Sequence, residues 1–308
     1  MIRIGMVGAG GIAQSHADAI KQNTDCILTA VADINAERAR EMAEVAGASW
    51  FTDYKDMDCT AFDAVILNLP HHLHCEVSVY FLERGVHVLC EKPMANTLAE
   101  CDRMIEAAKS AGKHLAIGHV QRYYTAAKEI KAIIESKKYG DLTMITESRC
   151  KDYLKNRPKW FLDKRTAGGG IAMNLGAHSL DRILYTTRLA VEEVHALTAN
   201  PITDDNVELN AQILLRLSGG VSATVSLCGT HVPQEEHETV YYFTDGIVKM
   251  QGDQLLVFED GAFVSRGGEH PLIESQLTEF LKLLRGEKSE ICTPEYGREI
   301  IRILERIV

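Results

Sequence analysis

The stretch Val86–Ala95, VHVLCEKPMA, ends an apolar run on a charged pair, Glu91-Lys92, followed at once by proline. A run this apolar predicts a strand buried on both faces, as in a parallel sheet. Lys92 then stands at the carboxyl end of that strand, the edge where open α/β sheets bind their ligands. A partly desolvated ammonium there is a usable acid or hydrogen-bond donor. A second stretch, GGGIAMNLGAHSLD, supplies a partner in acid–base work. Asn174, His178 and Asp181 fall at i, i+4 and i+7, which predicts one stripe of a helix. Gly168-Gly169-Gly170 would let substrate or backbone come close at the start of that helix.

Upstream, IRIGMVGAGGIA reads as a strand, a glycine turn and a helix start. Gly8-Ala9-Gly10-Gly11-Ile12-Ala13 is G-x-G-x-x-A. Gly8 permits the tight turn, Gly10 lets backbone approach a pyrophosphate, and Ala13 allows helix to pack on strand. The free N–H groups at Gly11 and Ile12 and the helix dipole suit phosphate. Asp33, at the end of the next strand, can accept hydrogen bonds from an adenosine ribose. It would repel a 2′-phosphate: like charges ~4 Å apart cost about 4 kcal/mol at an effective dielectric of ~20. The pattern therefore favours NAD over NADP, with Arg38 the residue that would soften the choice. The loop NLPHHLHCE invites a metal reading, but adjacent His71 and His72 face different ways and no carboxylate cluster accompanies them. It reads better as a loop beside the cofactor, with Leu69, His71 and His74 near its ribose and nicotinamide. Glu91 and Lys92 reach the same edge, where the nicotinamide's positive charge would lower the lysine's pKa further.

These residues need a scaffold. Over the first ~120 residues strands alternate with helices, which predicts a doubly wound parallel sheet. The strands are Ile2 to Val7, Cys26 to Asp33, Ala64 to Leu69, Val86 to Cys90 and His114 to Gly118. From Val191 to Phe263 strands follow one another across turns such as Ser218-Gly219-Gly220, which predicts an antiparallel sheet. The expected fold is α/β: a Rossmann domain over residues 1–120 and an α+β domain over residues 121–308. The terminal helices, Leu272 to Leu284 and Glu295 to Ile307, are assigned to the second domain.

Composition narrows the class. Among 308 residues, 46% are hydrophobic and 25% charged, which suits packed globular domains. The net charge of −10 makes nucleic acid an improbable partner. The eight cysteines contain no C-x-x-C and read as reduced core residues of a cytoplasmic protein. No apolar run approaches ~18 residues, so no transmembrane helix is expected.

With these pieces in order, the sequence resembles the glucose–fructose oxidoreductase, inositol dehydrogenase and MocA (Gfo/Idh/MocA) family of NAD(P)-dependent sugar and cyclitol oxidoreductases. GAGGIA, NLPHHLH, EKPMANTLAE, GHVQRYYTAAKEIK and GGGIAMNLGAHSLDRILY carry the resemblance nearly end to end. It implies a C-terminal domain with an open, mostly antiparallel sheet whose exposed face forms homodimers or homotetramers. It also implies a Lys92–Pro93 peptide that is often cis. Lys92 matches the family lysine, His178 its catalytic histidine and His74 the histidine of the loop after its third long strand. Arg122 falls in a segment expected near substrate. Asn68-Leu69-Pro70 departs mildly from the usual threonine–proline. Asn174 stands where an aspartate is usual; an amide can bind a hydroxyl but cannot take a proton.

The reaction expected is reversible hydride transfer between the nicotinamide and a secondary alcohol of a sugar, sugar acid or cyclitol. Lys92, His178 and Asn174 hold that alcohol, and Lys92 and His178 are expected to meet at one substrate atom. Two other readings use the same site: a glycosidase or epimerase without net redox, and a non-enzymatic dinucleotide-binding regulator. From Arg149 to Arg165, seven bases face Asp152 and Asp163. A solvated loop explains them; so does a lid attracting a carboxylated or phosphorylated sugar, with Tyr153 and Trp160 as an apolar wall.

Overall fold

The computed structural model describes residues 1–155, 157–230, 234–266 and 271–308. The chain divides into two compact units, residues 1–120 with 271–301 and residues 121–270 with 302–308.

In the first unit the order is β1 (Ile2–Val7), α1 (Gly11–Gln22), β2 (Cys26–Ala32), α2 (Ala36–Ala46), β3 (Ser49–Phe51), β4 (Ala64–Leu67), α3 (His74–Glu83), β5 (His87–Glu91), α4 (Leu98–Ala111) and β6 (Leu115–Gly118). The strands form a parallel sheet in the order β3-β2-β1-β4-β5-β6. Their apolar runs follow from burial on both faces; all four residues of β4 are buried. Helix starts are chemically marked. The Asn35 side chain accepts from the amides of Glu37 and Arg38, and Thr97 with Glu100 forms a capping box on α4. The strand order reverses between β1 and β4, so the crevice at the carboxyl edge opens there. β3 is absent from the sequence-based expectation: three partly exposed residues leave no period to read.

The second unit contains α5 (Thr125–Ser136), β7 (Leu142–Cys150), α6 (Lys164–Ala167), α7 (Ala177–Thr187), β8 (Val191–Ala199), β9 (Asn210–Leu217), β10 (Ser222–Cys228), β11 (Glu236–Phe243), β12 (Ile247–Gln251), β13 (Gln254–Glu259) and β14 (Ala262–Arg266). Its sheet runs β14-β13-β12-β11-β7-β10-β9-β8. β7 and β10 are parallel and the other pairings antiparallel. Alternate residues of β9 and β10 are buried, so one sheet face carries the core and the other is open.

The terminal helices α8 (Leu272–Leu284) and α9 (Pro294–Leu304) differ from the expected assignment. Residues 271–301 belong to the first unit. The cause is packing: Leu277, Phe280 and Leu281, at i, i+3 and i+4, bury into the core that holds Ile4, Met6 and Leu89. Among the described residues no helix is long and apolar enough to cross a membrane.

Candidate active site

In the first unit the candidate residues gather along one edge, because each follows the carboxyl end of a parallel strand. Gly8 follows β1 with φ +90°, and a Cβ there would lie 2.2 Å from the carbonyl oxygen of Asn68. Only glycine fits a turn with that dihedral and that neighbour. A Cβ on Gly10 or Gly11 would meet nothing within 4 Å. The turn thus leaves an open cradle at the start of α1, as a pyrophosphate on the helix N-terminus requires. Asp33 braces the turn: Oδ2 accepts from the Ala9 amide at 2.7 Å and Oδ1 from the Asn35 amide at 2.8 Å. Ile12 is 43% exposed, beside the cradle. Arg38 is exposed at the start of α2. With Ala9, Gln14 and Met42 it lines a groove of about 410 Å³ between α1 and α2.

The histidine loop after β4 behaves differently from its expected role. His74 is fully buried, with Nδ1 2.8 Å from the Pro93 carbonyl and Nε2 2.9 Å from the Leu69 carbonyl. Burial pushes its pKa down against the pull of those two carbonyls. A neutral ring donates to one of them at a time. His74 therefore ties the β4 loop to the Lys92–Pro93 segment, and its ring nitrogens are occupied by backbone. His71 is also buried, its ring centre 5.8 Å from that of His74.

Lys92 follows β5 directly, half-buried, and the Lys92–Pro93 peptide is cis. Glu91 Oε1 meets His16 Nε2 of α1 at 2.9 Å, while Glu91 Oε2 accepts the Lys92 amide at 3.2 Å. Burial alone would raise the Glu91 carboxyl. The His16 hydrogen bond and charge, with Lys92, outweigh it and hold that carboxyl below the usual range. His16 is a functional-site neighbour that sequence reasoning missed. Its partner is 75 residues away, and no local pattern joins them.

In the second unit the predicted helix is broken into a π turn over Ala172–Gly176 and α7. Such wide turns recur at functional sites. Asn174 lies in the π turn and His178 in the first turn of α7, so their i, i+4 spacing is not that of a plain α-helix. Asn174 is buried with Nδ2 3.5 Å from the Tyr153 hydroxyl; His178 is half-buried. Of the three glycines, Gly168 ends α6 with φ +79°, Gly169 lies against the Val308 and Met173 side chains, and Gly170 serves backbone approach. Gly170 lies against Glu208, where a Cβ would fall 1.9 Å from the carbonyl oxygen. Glu208 Oε1 accepts from the amides of Gly170 and Ala172 at 2.8 and 2.9 Å, capping the helix start from 36 to 38 residues away.

Several expectations shift in this unit. Asp181 is fully buried and pairs with Arg122 at 2.5 Å. Arg122, expected at the substrate, is 6% exposed and neutralises that carboxylate. Arg149, counted among the seven loop bases, is buried as well. Its Nε donates to Glu147 at 3.0 Å and its Nη2 to Gln121 at 2.9 Å. Lys151 pairs with Glu235 and Arg165 with Asp163. The segment is therefore less cationic than its composition implies. Tyr153 is fully buried, and Trp160 stacks on Phe161 with ring centres 3.7 Å apart.

A glycine cradle at a topological switch point, with a carboxylate after β2, defines a dinucleotide-binding protein of the Rossmann type. The comparisons agree. Residues 2–119 match the oxidoreductase family with an NAD-binding Rossmann fold, and residues 127–249 match the GFO/IDH/MocA C-terminal domain. The chain belongs to the Gfo/Idh/MocA oxidoreductase family. It is 30% identical to the myo-inositol 2-dehydrogenase of Thermotoga maritima over 73% of this chain and 67% of that protein. It is 29% identical to the glucose-6-phosphate 3-dehydrogenase of Bacillus subtilis over 76% of this chain and 70% of that one. The WlbA dehydrogenase of Bordetella pertussis, solved with NADH and UDP-GlcNAcA, superposes with a TM-score of 0.87 at 25% identity. That match covers 99% of this chain and 95% of the other.

Proposed function

We propose that this oxidoreductase interconverts a secondary alcohol and a ketone on a sugar, sugar acid or cyclitol. The relatives named for myo-inositol and glucose 6-phosphate support that substrate class. One observation carries the reading: Lys92 stands on the same sheet edge as the glycine cradle, its backbone fixed by the His16–Glu91 pair. A bound nicotinamide supplies the carbon that exchanges hydride. The chain supplies the proton chemistry. The half-buried Lys92 ammonium donates a hydrogen bond to the substrate oxygen as charge develops on it. His178 takes the hydroxyl proton in the oxidising direction. The Asn174 amide orients a hydroxyl and carries no proton. Asp33 selects NAD by excluding a 2′-phosphate, and Gly8, Gly10, Gly11 and Ile12 receive the pyrophosphate.

The open face of the second sheet carries exposed Met144, Leu197, Leu214, Phe258 and Phe263. Apolar side chains spread over one sheet face suit a second copy of the chain, so the active form is a homo-oligomer of a cytoplasmic enzyme.

The test is a panel of sugars, cyclitols and uronates with NAD and NADP, read by absorbance of reduced nicotinamide. Lys92→Ala is expected to lower kcat at least a hundredfold on any active member. Undiminished turnover in that variant would end the proposal. Free reduced cofactor accumulating with product separates net oxidation from a glycosidase or epimerase cycle, and turnover itself separates an enzyme from a regulator.

A further inference from the structure

Of the seven bases between Arg149 and Arg165, three are matched by carboxylates and three, Lys155, Lys159 and Lys164, are exposed to solvent. Arg157 is neither. It is half-buried, and the carboxylate whose charge acts on it, Glu235, pairs with Lys151 and lies beyond ion-pair distance of it. Its Nε donates to the Tyr153 carbonyl at 2.8 Å. Its guanidinium carbon stands 4.1 Å from the centre of the Tyr153 ring and 4.9 Å from that of Phe161. The plane of the group is thus held by two aromatic rings and one backbone bond. Its two terminal nitrogens find no acceptor among the described residues.

A cation taken partly out of water and oriented, with only the Glu235 charge acting on it from beyond ion-pair distance, is costly unless something anionic completes it. Burial lowers the Arg157 pKa, yet a guanidinium stays charged. Tyr153 connects this group to the candidate site. Its ring and carbonyl hold Arg157, and its hydroxyl reaches Asn174. A hydroxyl reader and an anion reader therefore flank one tyrosine side chain, a spacing suited to two substituents of a single sugar ring.

We infer that Arg157 receives an anionic substituent, carboxylate or phosphate, on the sugar or cyclitol whose hydroxyl is oriented at Asn174. The inference rests on the proposed function for its sugar ligand, but not on hydride transfer occurring. Stacked, forked guanidinium groups recognise both anions through paired N–H bonds. Arg157 is then the residue that sets specificity, and the acidic character of the substrate follows from it.

The experiment measures binding, so it does not depend on turnover. Titration calorimetry of the full chain, saturated with NADH, uses D-glucuronate, D-glucose 6-phosphate and D-glucose as probes. Wild type is expected to bind at least one anionic probe tenfold or more tightly than glucose. The arm that shows the preference identifies carboxylate or phosphate as the source. Arg157→Gln is expected to abolish the preference while glucose affinity changes less than threefold. Arg157→Lys, which keeps the charge and loses the fork, is expected to retain part of it and serves if the first variant does not fold. No anion preference in wild type would overturn the inference. So would equal weakening of all three probes in either variant, the mark of a brace for Tyr153. An intact preference in an enzyme that turns over none of the probes would support Arg157's role while counting against the redox reading.

Discussion

His16 Nε2 lies 2.9 Å from Glu91 Oε1, an ion-pair distance inside the first unit with the imidazole 1% exposed. Glu91 in turn accepts the Lys92 amide. A Cβ on Gly118 would fall 3.0 Å from the Glu91 Cα, so β6 leaves the carboxylate its place. On the proposed mechanism His16 positions Lys92 through Glu91. His16→Ala is expected to lower kcat by roughly tenfold to a hundredfold, the scale of a misplaced reacting group. The Kd for NADH should change little. His16→Gln, which restores a donor, should recover part of the loss. A parallel fall in NADH affinity would show that the pair shapes the cradle instead.

The glycine turn offers a paired test. Gly8 and Gly10 are two residues apart and physically opposite: a Cβ on the first meets the Asn68 carbonyl at 2.2 Å, on the second nothing. Gly8→Ala should cost more than about 2 kcal/mol of stability, through backbone strain and the clash together. Gly10→Ala should leave thermal unfolding unchanged and weaken NADH binding at least tenfold, because its new methyl enters the space reserved for ligand. Calorimetric unfolding and NADH fluorescence titration read the two effects separately. Equal affinity in Gly10→Ala would place the pyrophosphate elsewhere.

The contrast between these residues explains what could be read in advance. The parallel sheet was legible because its strands are buried on both faces and reach the sequence as short apolar runs. The glycine turn, Asp33 and Lys92 were legible because each follows such a run directly. The His16–Glu91 pair, the Glu208 cap and the ties of His74 to Leu69 and Pro93 were not. They join residues that only the folded chain brings together. The π turn at Ala172–Gly176 was hidden for another reason: the short, mostly apolar run AMNLG carries no period that separates a wide turn from an α-helix. The allegiance of α8 to the first core was equally silent, since an amphipathic helix declares a buried face but not its partner. Composition misled once, where the basic run from Arg149 to Arg165 proved partly neutralised.

A pH dependence follows from His237 in β11. Its Nε2 lies 2.6 Å from Arg182 Nη1, with Glu147 Oε1 at 3.4 Å and Arg149 and Thr239 in the same buried cluster. Burial lowers its pKa from 6.5 to about 4, Arg149 and Arg182 adding to the shift and Glu147 opposing it. The folded state therefore keeps a neutral ring while the unfolded chain takes up a proton below pH 6.5. Stability is complete above pH 6.5 and falls as pH drops toward 4, by up to about 3 kcal/mol. His237→Gln should flatten that limb of the stability curve, read by urea unfolding at pH 7, 5.5 and 4.5. An unchanged slope would assign the acid sensitivity to other groups.

The Arg122–Asp181 pair makes the last prediction, because it separates a substrate ligand from a structural counter-ion. Both side chains are almost wholly buried, and Arg122 also lies 5.2 Å from the Tyr185 ring. Removing one member leaves the other's charge in a low-dielectric site, which costs about 3–5 kcal/mol. Asp181→Asn and Arg122→Met should each destabilise by that order. The double variant Arg122→Met/Asp181→Leu should recover most of the loss, since an apolar pair of similar volume needs no compensation. KM for an active sugar, measured well below the unfolding temperature, should move less than threefold in the double variant. If KM instead rose tenfold or more while stability was restored, Arg122 would be touching substrate after all, as its place in the VQRYY segment first implied.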